Sequence, residues 1–205
     1  MPPGALREVA VKEHLFVEGD RKAFIYQVVS GTLALYKMLK DGRRQVYRFA
    51  ASGDLVALSF APFETSSAQA TSRATVKCIP LAALARAADQ SPRFARLMCE
   101  ALSSEMSEMC DHLVSLGQNG ASARVARFLL NMVEEAETQG GDGRVVHLAM
   151  TRADIGDFLG LTLESVSRAL SALKSRRVID IEHGTTIHVL KRDRLEYEAD
   201  GDDEF

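Results

Sequence analysis

No apolar run in this 205-residue sequence approaches the roughly 20 residues that a membrane-spanning helix needs. The opening stretch, MPPGALREVAVKEH, lacks the apolar core of a secretory signal, so a cytoplasmic protein with no membrane partner is expected. Cysteine is scarce: Cys78, Cys99 and Cys110 are an odd number with no C-x-x-C spacing. That argues against a disulfide framework, a zinc ribbon and an iron–sulfur cluster held by cysteine alone, and buried structural thiols are expected instead. A P-loop, a metal-binding motif and a nucleophile–base arrangement are also missing, so the expectation is no enzyme, no metal and no cofactor. Nor is there an excess of positive charge. The formal charge of −3 speaks against indiscriminate nucleic-acid binding but leaves room for a local basic patch. Charge is organised by segment. Asp193, Glu196, Glu198, Asp200, Asp202, Asp203 and Glu204 face only Arg194 in an acidic tail, whereas from Glu164 to Arg177 the cations Arg168, Lys174, Arg176 and Arg177 outweigh Glu164.

What is present begins with regularly spaced turns. Gly19, Gly31, Gly42 and Gly53 each follow Glu, Ser or Asp and separate the β-rich stretches AFIYQVV, LALYKML and RQVYRFA; SAQATSRATVKCI continues the pattern. Short strands at such intervals indicate an all-β barrel or sandwich, and with no long helix before Pro80 residues 1 to about 80 read as a small barrel. PLAALARAAD is a short helix. Ser91 then caps a long helix, with Pro92 at its first position, running to about Leu116.

That helix carries two stripes. Phe94, Leu97, Met98 and Ala101 are expected to lie against the barrel. Cys99, Leu102, Met106, Met109, Leu113 and Leu116 alternate steps of three and four, which is a heptad seam. A seam inside one globular core has the same spacing; the second stripe favours a partner helix, and hence a homodimer. GQNGAS, from Gly117, ends the helix in a hinge.

ASARVARFLLNMVEEAE is an amphipathic helix, RVVHLAM a short strand, and VIDI and TIHVL flank EHGT as a hairpin. Between strand and hairpin lies TRADIGDFLGLTLESVSRALSALK. Thr151 precedes a first helix with Ile155, Phe158 and Leu159 inward; Gly160 ends it, and Thr162 caps the next. Two helices joined by so short a turn cross steeply, which is helix-turn-helix geometry. In the second, Val166, Leu170 and Leu173 belong to the core. Glu164, Ser167, Arg168, Ser171 and Lys174 share the opposite face. A merely solvated face is the plain alternative. Arg168 can pair bidentately with guanine and a carboxylate can accept from cytosine N4, so Glu164 and Arg168, one turn apart, suit a G·C pair. The residues expected at DNA are Thr151, Arg152, Thr162, Leu163, Glu164, Ser167, Arg168, Ser171 and Lys174.

From EGD through the heptad helix to DIGDFLGLTLESVSRAL, the chain resembles the CRP/FNR superfamily of bacterial transcription regulators. The E-x-x-S-R pattern at Glu164, Ser167 and Arg168 resembles its FNR/FixK branch. The resemblance implies an α+β fold: an N-terminal β-roll (double-stranded β-helix) barrel, a long dimerisation helix and a C-terminal winged helix-turn-helix. It divides the chain into a cyclic-nucleotide-binding-like sensory domain at 1–90, a dimerisation helix and hinge at 91–118, and a DNA-binding domain with acidic tail at 119–205. It further implies double-stranded DNA and RNA polymerase as partners, and genes of low-oxygen or nitrogen-oxide metabolism as targets. The half-site would be TTGA, repeated as TCAA after six bases, with Glu164 and Arg168 on the G·C pair, Ser167 on a neighbouring thymine and Leu163 against a base methyl.

Members that bind cyclic nucleotides carry a Gly-Glu pair and an Arg-Ser pair in the barrel. Here these fall at Ala57 and Leu58, and near Ser66 and Ser67, so no cation is expected to neutralise a buried phosphate and cyclic-nucleotide binding is not expected. Members with a [4Fe–4S] cluster use N-terminal cysteines, and no cysteine here precedes Cys78. Haem-binding members use His or Cys, sometimes with an N-terminal Pro; Pro2, His14 and Cys78 are the candidates, and His14 is read as structural. His183 and His188 are expected to face each other across the hairpin as surface residues. A regulator without effector is thus expected, with a small-molecule- or haem-gated regulator as the alternative.

Overall fold

The computed structural model describes residues 2–59, 61–117, 120–138 and 140–201. Gln118 and Asn119 of the expected hinge, and Asp202, Asp203 and Glu204 of the expected tail, lie outside the described residues. The chain divides into two compact units, Met1–Asp111 and His112–Phe205.

The first unit is a β-roll of β1 (Ala5–Val9), β2 (His14–Phe16), β3 (Phe24–Ser30), β4 (Leu33–Met38), β5 (Arg44–Ala50), β6 (Leu55–Val56), β7 (Ser67–Ala70) and β8 (Ala74–Pro80). They form two four-stranded antiparallel sheets, in the orders β1-β8-β3-β6 and β2-β7-β4-β5. Gly19, Gly31, Gly42 and Gly53 all stand at turns with positive φ, as their spacing predicts. Val9, Leu15, Phe16, Val28, Leu33, Leu35 and Val76 fill the space between the sheets. Each contributes roughly 1.5–3 kcal/mol by leaving water.

The described residues of the connection from β6 to β7 are laced to the turn before β3, with a β-bridge between Phe63 and Arg21. The Gly19 amide donates to the Glu64 carbonyl at 2.9 Å, and the Glu64 amide to Asp20 at 2.9 Å. Behind this lacing, Lys22 Nζ lies 3.2 Å from Glu64 Oε2, with side chains 1% and 5% exposed. Burial pushes the Glu64 carboxyl above its ordinary range, against the opposing pull of Lys22.

The helices α1 (Leu81–Gln90) and α2 (Pro92–Leu116) follow. Ser91 Oγ accepts from the Phe94 amide at 3.2 Å, so the cap read from the sequence forms. Phe94 and Met98 pack on Ile25, Ile79 and Leu84. Leu97, expected with them, is instead 53% exposed, because it sits to one side of the Phe94–Met98–Ala101 stripe. Cys78 is half-buried, and Cys99 and Cys110 are exposed on α2, so three buried thiols are not what this chain has.

The second unit contains α3 (Ala121–Thr138), β9 (Val145–His147), α4 (Arg152–Leu159), α5 (Leu163–Ser175), β10 (Ile179–Glu182), β11 (Thr186–Val189) and α6 (Arg192–Asp200). The strands form an antiparallel sheet in the order β10-β11-β9, and β10 and β11 make the wing. Val125, Leu129, Ile155, Leu159, Val166, Leu170, Leu173, Ile187 and Leu195 are its buried centre.

Two further expectations need correcting. The first part of the acidic tail is helix α6, anchored by buried Leu195 and Ala199 and paired to the rest of the unit through Arg176–Glu198, Arg127–Asp200 and Arg192–Glu137. And His188 faces Asp180, not His183, because His183 occupies the wing turn at φ 50°. Both imidazoles reach Glu182, at 3.4 Å from His183 and 3.0 Å from His188.

Candidate nucleic-acid interface

The interface is assembled by caps. Thr151 Oγ1 accepts from the Asp154 amide at 3.1 Å, and Asp154 Oδ2 accepts from the Thr151 amide at 2.9 Å. This reciprocal box fixes the start of α4. Gly160, at φ 64° and ψ 36°, ends α4 in the left-handed region. Arg124 of α3 covers the end by donating to the Leu159 carbonyl at 3.1 Å. Two residues later Thr162 Oγ1 accepts from the Ser165 amide at 3.1 Å and starts α5.

The turn is tight as well as capped. A Cβ on Gly156, inside α4, would lie 2.7 Å from the Leu161 carbonyl oxygen. The absence of a side chain at Gly156 lets α4 and the turn touch. Nothing in the sequence pattern separates this glycine from a tolerated helix glycine. His112, from the end of α2, stacks on Phe158 at 3.9 Å between centroids, and burial pulls its imidazole below its ordinary range.

On the outward side of α5, Leu163, Glu164, Arg168, Ser171 and Lys174 are exposed, and Ser167 is half-buried. Glu164 has no hydrogen-bond or ion-pair partner among the described residues, so its carboxylate is unspent; it lies in the first turn, where the helix dipole tolerates an anion. Arg168 reaches only along its own helix, to Ser165 Oγ at 3.4 Å. Arg152 bridges α4 to α5 by donating to Ser167 Oγ at 3.4 Å, and Ser171 Oγ donates back to the Ser167 carbonyl at 2.8 Å. The face therefore has two charged groups free to turn outward, flanked by hydroxyls already held in place.

Thr151, Thr162 and Lys174 differ from that picture. The hydroxyls of Thr151 and Thr162 are committed to caps. Lys174 Nζ is held by Asp180 Oδ1 at 2.8 Å. The sequence reading missed Asp180, Ser165 and Gly156. Ser165 was visible as the residue three beyond a capping threonine; the pairing of Lys174 with Asp180 depends on how the wing folds back.

In the roll, Ala57 takes φ 64°, a backbone state suited to glycine. Leu58 packs towards Ile25, Ile79 and Leu84. Ser66 Oγ is 2.9 Å from the Tyr47 hydroxyl, and Ser67 Oγ accepts from the Glu18 amide at 3.0 Å. A buried cation does lie beside this segment, which the sequence reading overlooked: Lys22 donates to Ser59 Oγ at 3.1 Å, but Glu64 already neutralises it. His14 Nε2 is 2.8 Å from the Tyr36 hydroxyl, and burial pushes the Cys78 thiol up.

Residues 123–198 match the Crp-like helix-turn-helix domain, and residues 6–91 the cyclic nucleotide-binding domain. The chain is 38% identical over 172 residues to the nitrogen fixation regulation protein FixK of Bradyrhizobium diazoefficiens, across 84% of this chain and 73% of that one. It is 34% identical over 170 residues to the transcriptional activatory protein AadR of Rhodopseudomonas palustris, across 83% and 71%. The solved structure of FixK2 from Bradyrhizobium japonicum superposes with a TM-score of 0.88 at 34% identity, over 95% of this chain and 96% of that one. No described helix is long and apolar enough to cross a membrane.

Proposed function

The chain belongs to the CRP/FNR family of transcription regulators, and on that premise we propose that it is an activator binding TTGA-N6-TCAA DNA as a homodimer without effector. One observation carries the reading. Glu164 and Arg168 stand one turn apart near the N-terminal end of α5, exposed and without a partner from another element among the described residues. Arg168 matches guanine O6 and N7, and Glu164 matches cytosine N4. Leu163 beside them is 47% exposed, an apolar surface for a thymine methyl. Thr151, Arg152, Thr162, Ser167, Ser171 and Lys174 complete the DNA face, the cap residues acting chiefly by fixing where the two helices start.

Homodimerisation is supported by α2, where Leu102, Met106, Met109 and Leu113 are 45%, 67%, 43% and 66% exposed and Cys99 is exposed, while Leu116 is half-buried. Among the described residues, Leu102, Met106, Met109 and Leu113 are thus left uncovered at heptad spacing, as a seam awaiting a partner helix would be. Activation, and with it contact to RNA polymerase, follows the naming of AadR as an activatory protein.

The match of the roll to the cyclic nucleotide-binding domain favours a second reading, in which a small molecule gates DNA binding. Against it stands the buried Lys22–Glu64 pair, which leaves the cation beside this segment already satisfied. A gel shift of the purified protein on TTGA-N6-TCAA duplex, with and without cyclic nucleotide and reductant, separates the two. Binding without additive, two chains per duplex, is expected. Binding only with additive, or from a coloured preparation, favours the gated regulator, and no binding under any condition overturns the half-site.

A further inference from the structure

The stripe that begins with Phe94, Met98 and Ala101 continues with the same four-three spacing to Glu105 and Glu108. One face of α2 is thus apolar in its first half, where Phe94 and Met98 pack on the roll, and doubly acidic in its second. The roll answers with one cation. Arg48 on β5 places Nη1 3.1 Å from Glu105 Oε1 and Nε 3.6 Å from Glu108 Oε2. Its Nη2 lies 3.4 Å from Asp54 Oδ1, and Nη1 also donates to the Leu55 carbonyl at 3.3 Å. The Arg48 side chain is only 12% exposed, so solvent screens this cluster less than a surface pair. A planar fork can serve acceptors on several sides at once, which a lysine ammonium in the same place cannot do in that geometry.

We propose that Arg48 is the positioning residue that fixes the rotation of α2 on the roll, and thereby the face α2 offers to a second chain. The inference rests on the homodimer reading. From Ala101 to Glu108 the roll-facing stripe of α2 ends in two carboxylates, so hydrophobic packing alone does not hold this half of the helix in place. Remove the guanidinium and Glu105, Glu108 and Asp54 are left as neighbouring like charges, which drive this half of α2 off the roll. The stripe of Leu102, Met106 and Met109 then loses its fixed orientation.

The test compares wild type, Arg48→Gln, Glu105→Gln/Glu108→Gln and the triple variant, with Arg48→Lys as a milder change. Hydrogen exchange reads the amides of 103–110, and sedimentation equilibrium reads the dimer dissociation constant. Arg48→Gln is expected to speed exchange at 103–110 by about tenfold and to weaken dimerisation by a similar factor, with β3 and β8 amides unchanged. Arg48→Lys falls between, and the triple variant recovers part of the loss seen in Arg48→Gln, because the carboxylates that repel one another at Glu105 and Glu108 are gone. Unchanged exchange and dimerisation in Arg48→Gln, or losses that simply multiply in the triple variant, overturn the clamp. A wild-type chain that stays monomeric overturns the homodimer reading and the use made of the clamp, even where exchange responds.

Discussion

Lys174 Nζ lies 2.8 Å from Asp180 Oδ1 and donates to the Ile181 carbonyl at 3.3 Å, which ties the last turn of α5 to the wing strand β10. The hydrogen bond from Lys174 is the main reason the Asp180 carboxyl is held below its usual range. A cation expected to serve a phosphate is therefore partly spoken for inside the protein. Asp180→Asn releases it. Affinity is expected to rise on cognate and scrambled duplexes alike, and the slope of log affinity against log salt to steepen by about 0.9. Fluorescence anisotropy across a salt series checks this; an unchanged slope removes Lys174 from the phosphate contacts.

Arg168 and Glu164 are expected to behave differently from Lys174, because their charges are free to meet base edges. Arg168→Ala should lose about 1–3 kcal/mol of discrimination at the G·C position, whereas Lys174→Ala weakens all duplexes similarly. Glu164→Gln removes a charge that phosphates repel. Its binding to mismatched DNA should tighten while the matched-to-mismatched ratio narrows. Equal losses on matched and mismatched duplexes for Arg168→Ala contradict a reading role.

How much of this was legible differs from residue to residue. Ser91, Thr162 and Gly160 are local signals, each acting within a few residues, and all three stand where the pattern predicts. The strand RQVYRFA is β5, from Arg44 to Ala50. Helix α6 was hidden, because its apolar anchor is only Leu195 and Ala199 amid charges and its ion pairs reach residues 22 to 73 positions away. Arg48 was hidden for the same reason: its partners Glu105 and Glu108 look like solvent-facing helix charges until β5 is laid beside them. Local chemistry is written in sequence order; pairing between distant charges is not.

The two glycines of the turn should rank opposite to their backbone angles. Gly160 has the positive φ, yet a Cβ there would meet only Arg124 Nη1 at 3.8 Å and Leu116 Cδ2 at 3.9 Å, which is ordinary contact. Gly160→Ala should cost about 1–2 kcal/mol, the left-handed penalty alone. Gly156→Ala drives a Cβ to 2.7 Å from the Leu161 carbonyl, so α4 and the turn must separate. It should cost about 1–3 kcal/mol in stability and also misplace α5, lowering DNA affinity where Gly160→Ala does not. Thermal melts together with DNA titrations decide it, and a Gly156→Ala variant that binds like wild type refutes the close approach.

His112 gives the chain an acid-sensitive element. Burial against Phe158 depresses its folded pKa, so the neutral ring is favoured in the folded state. Below the ordinary histidine value of about 6.5 the unfolded chain takes up a proton that the folded chain does not. The associated stability is present above that value and is lost as pH falls through the folded pKa. His112→Phe keeps the stack and removes the titration. Between pH 7.5 and 5.5, on the order of the window around that value, wild type should lose more thermal stability than His112→Phe. Parallel losses in the two proteins would remove His112 as the cause.

Met106 is 67% exposed in the single chain and sits in the middle of the seam. A charge placed there disturbs no core, so Met106→Asp should leave helical content intact. In a homodimer the same change sets two carboxylates against each other across the seam, in surroundings stripped of water. Sedimentation should then show monomers at concentrations where wild type is dimeric. Binding of one monomer no longer holds a second at the neighbouring half-site, so affinity for the full dyad should fall by about a hundredfold or more while affinity for a single half-site is unchanged. Ser107→Asp, one residue on and away from the seam, adds the same charge to the same exposed helix. It should leave both association and dyad binding near wild type, and equal effects of the two substitutions would mean that α2 acts through its overall charge and not through the stripe.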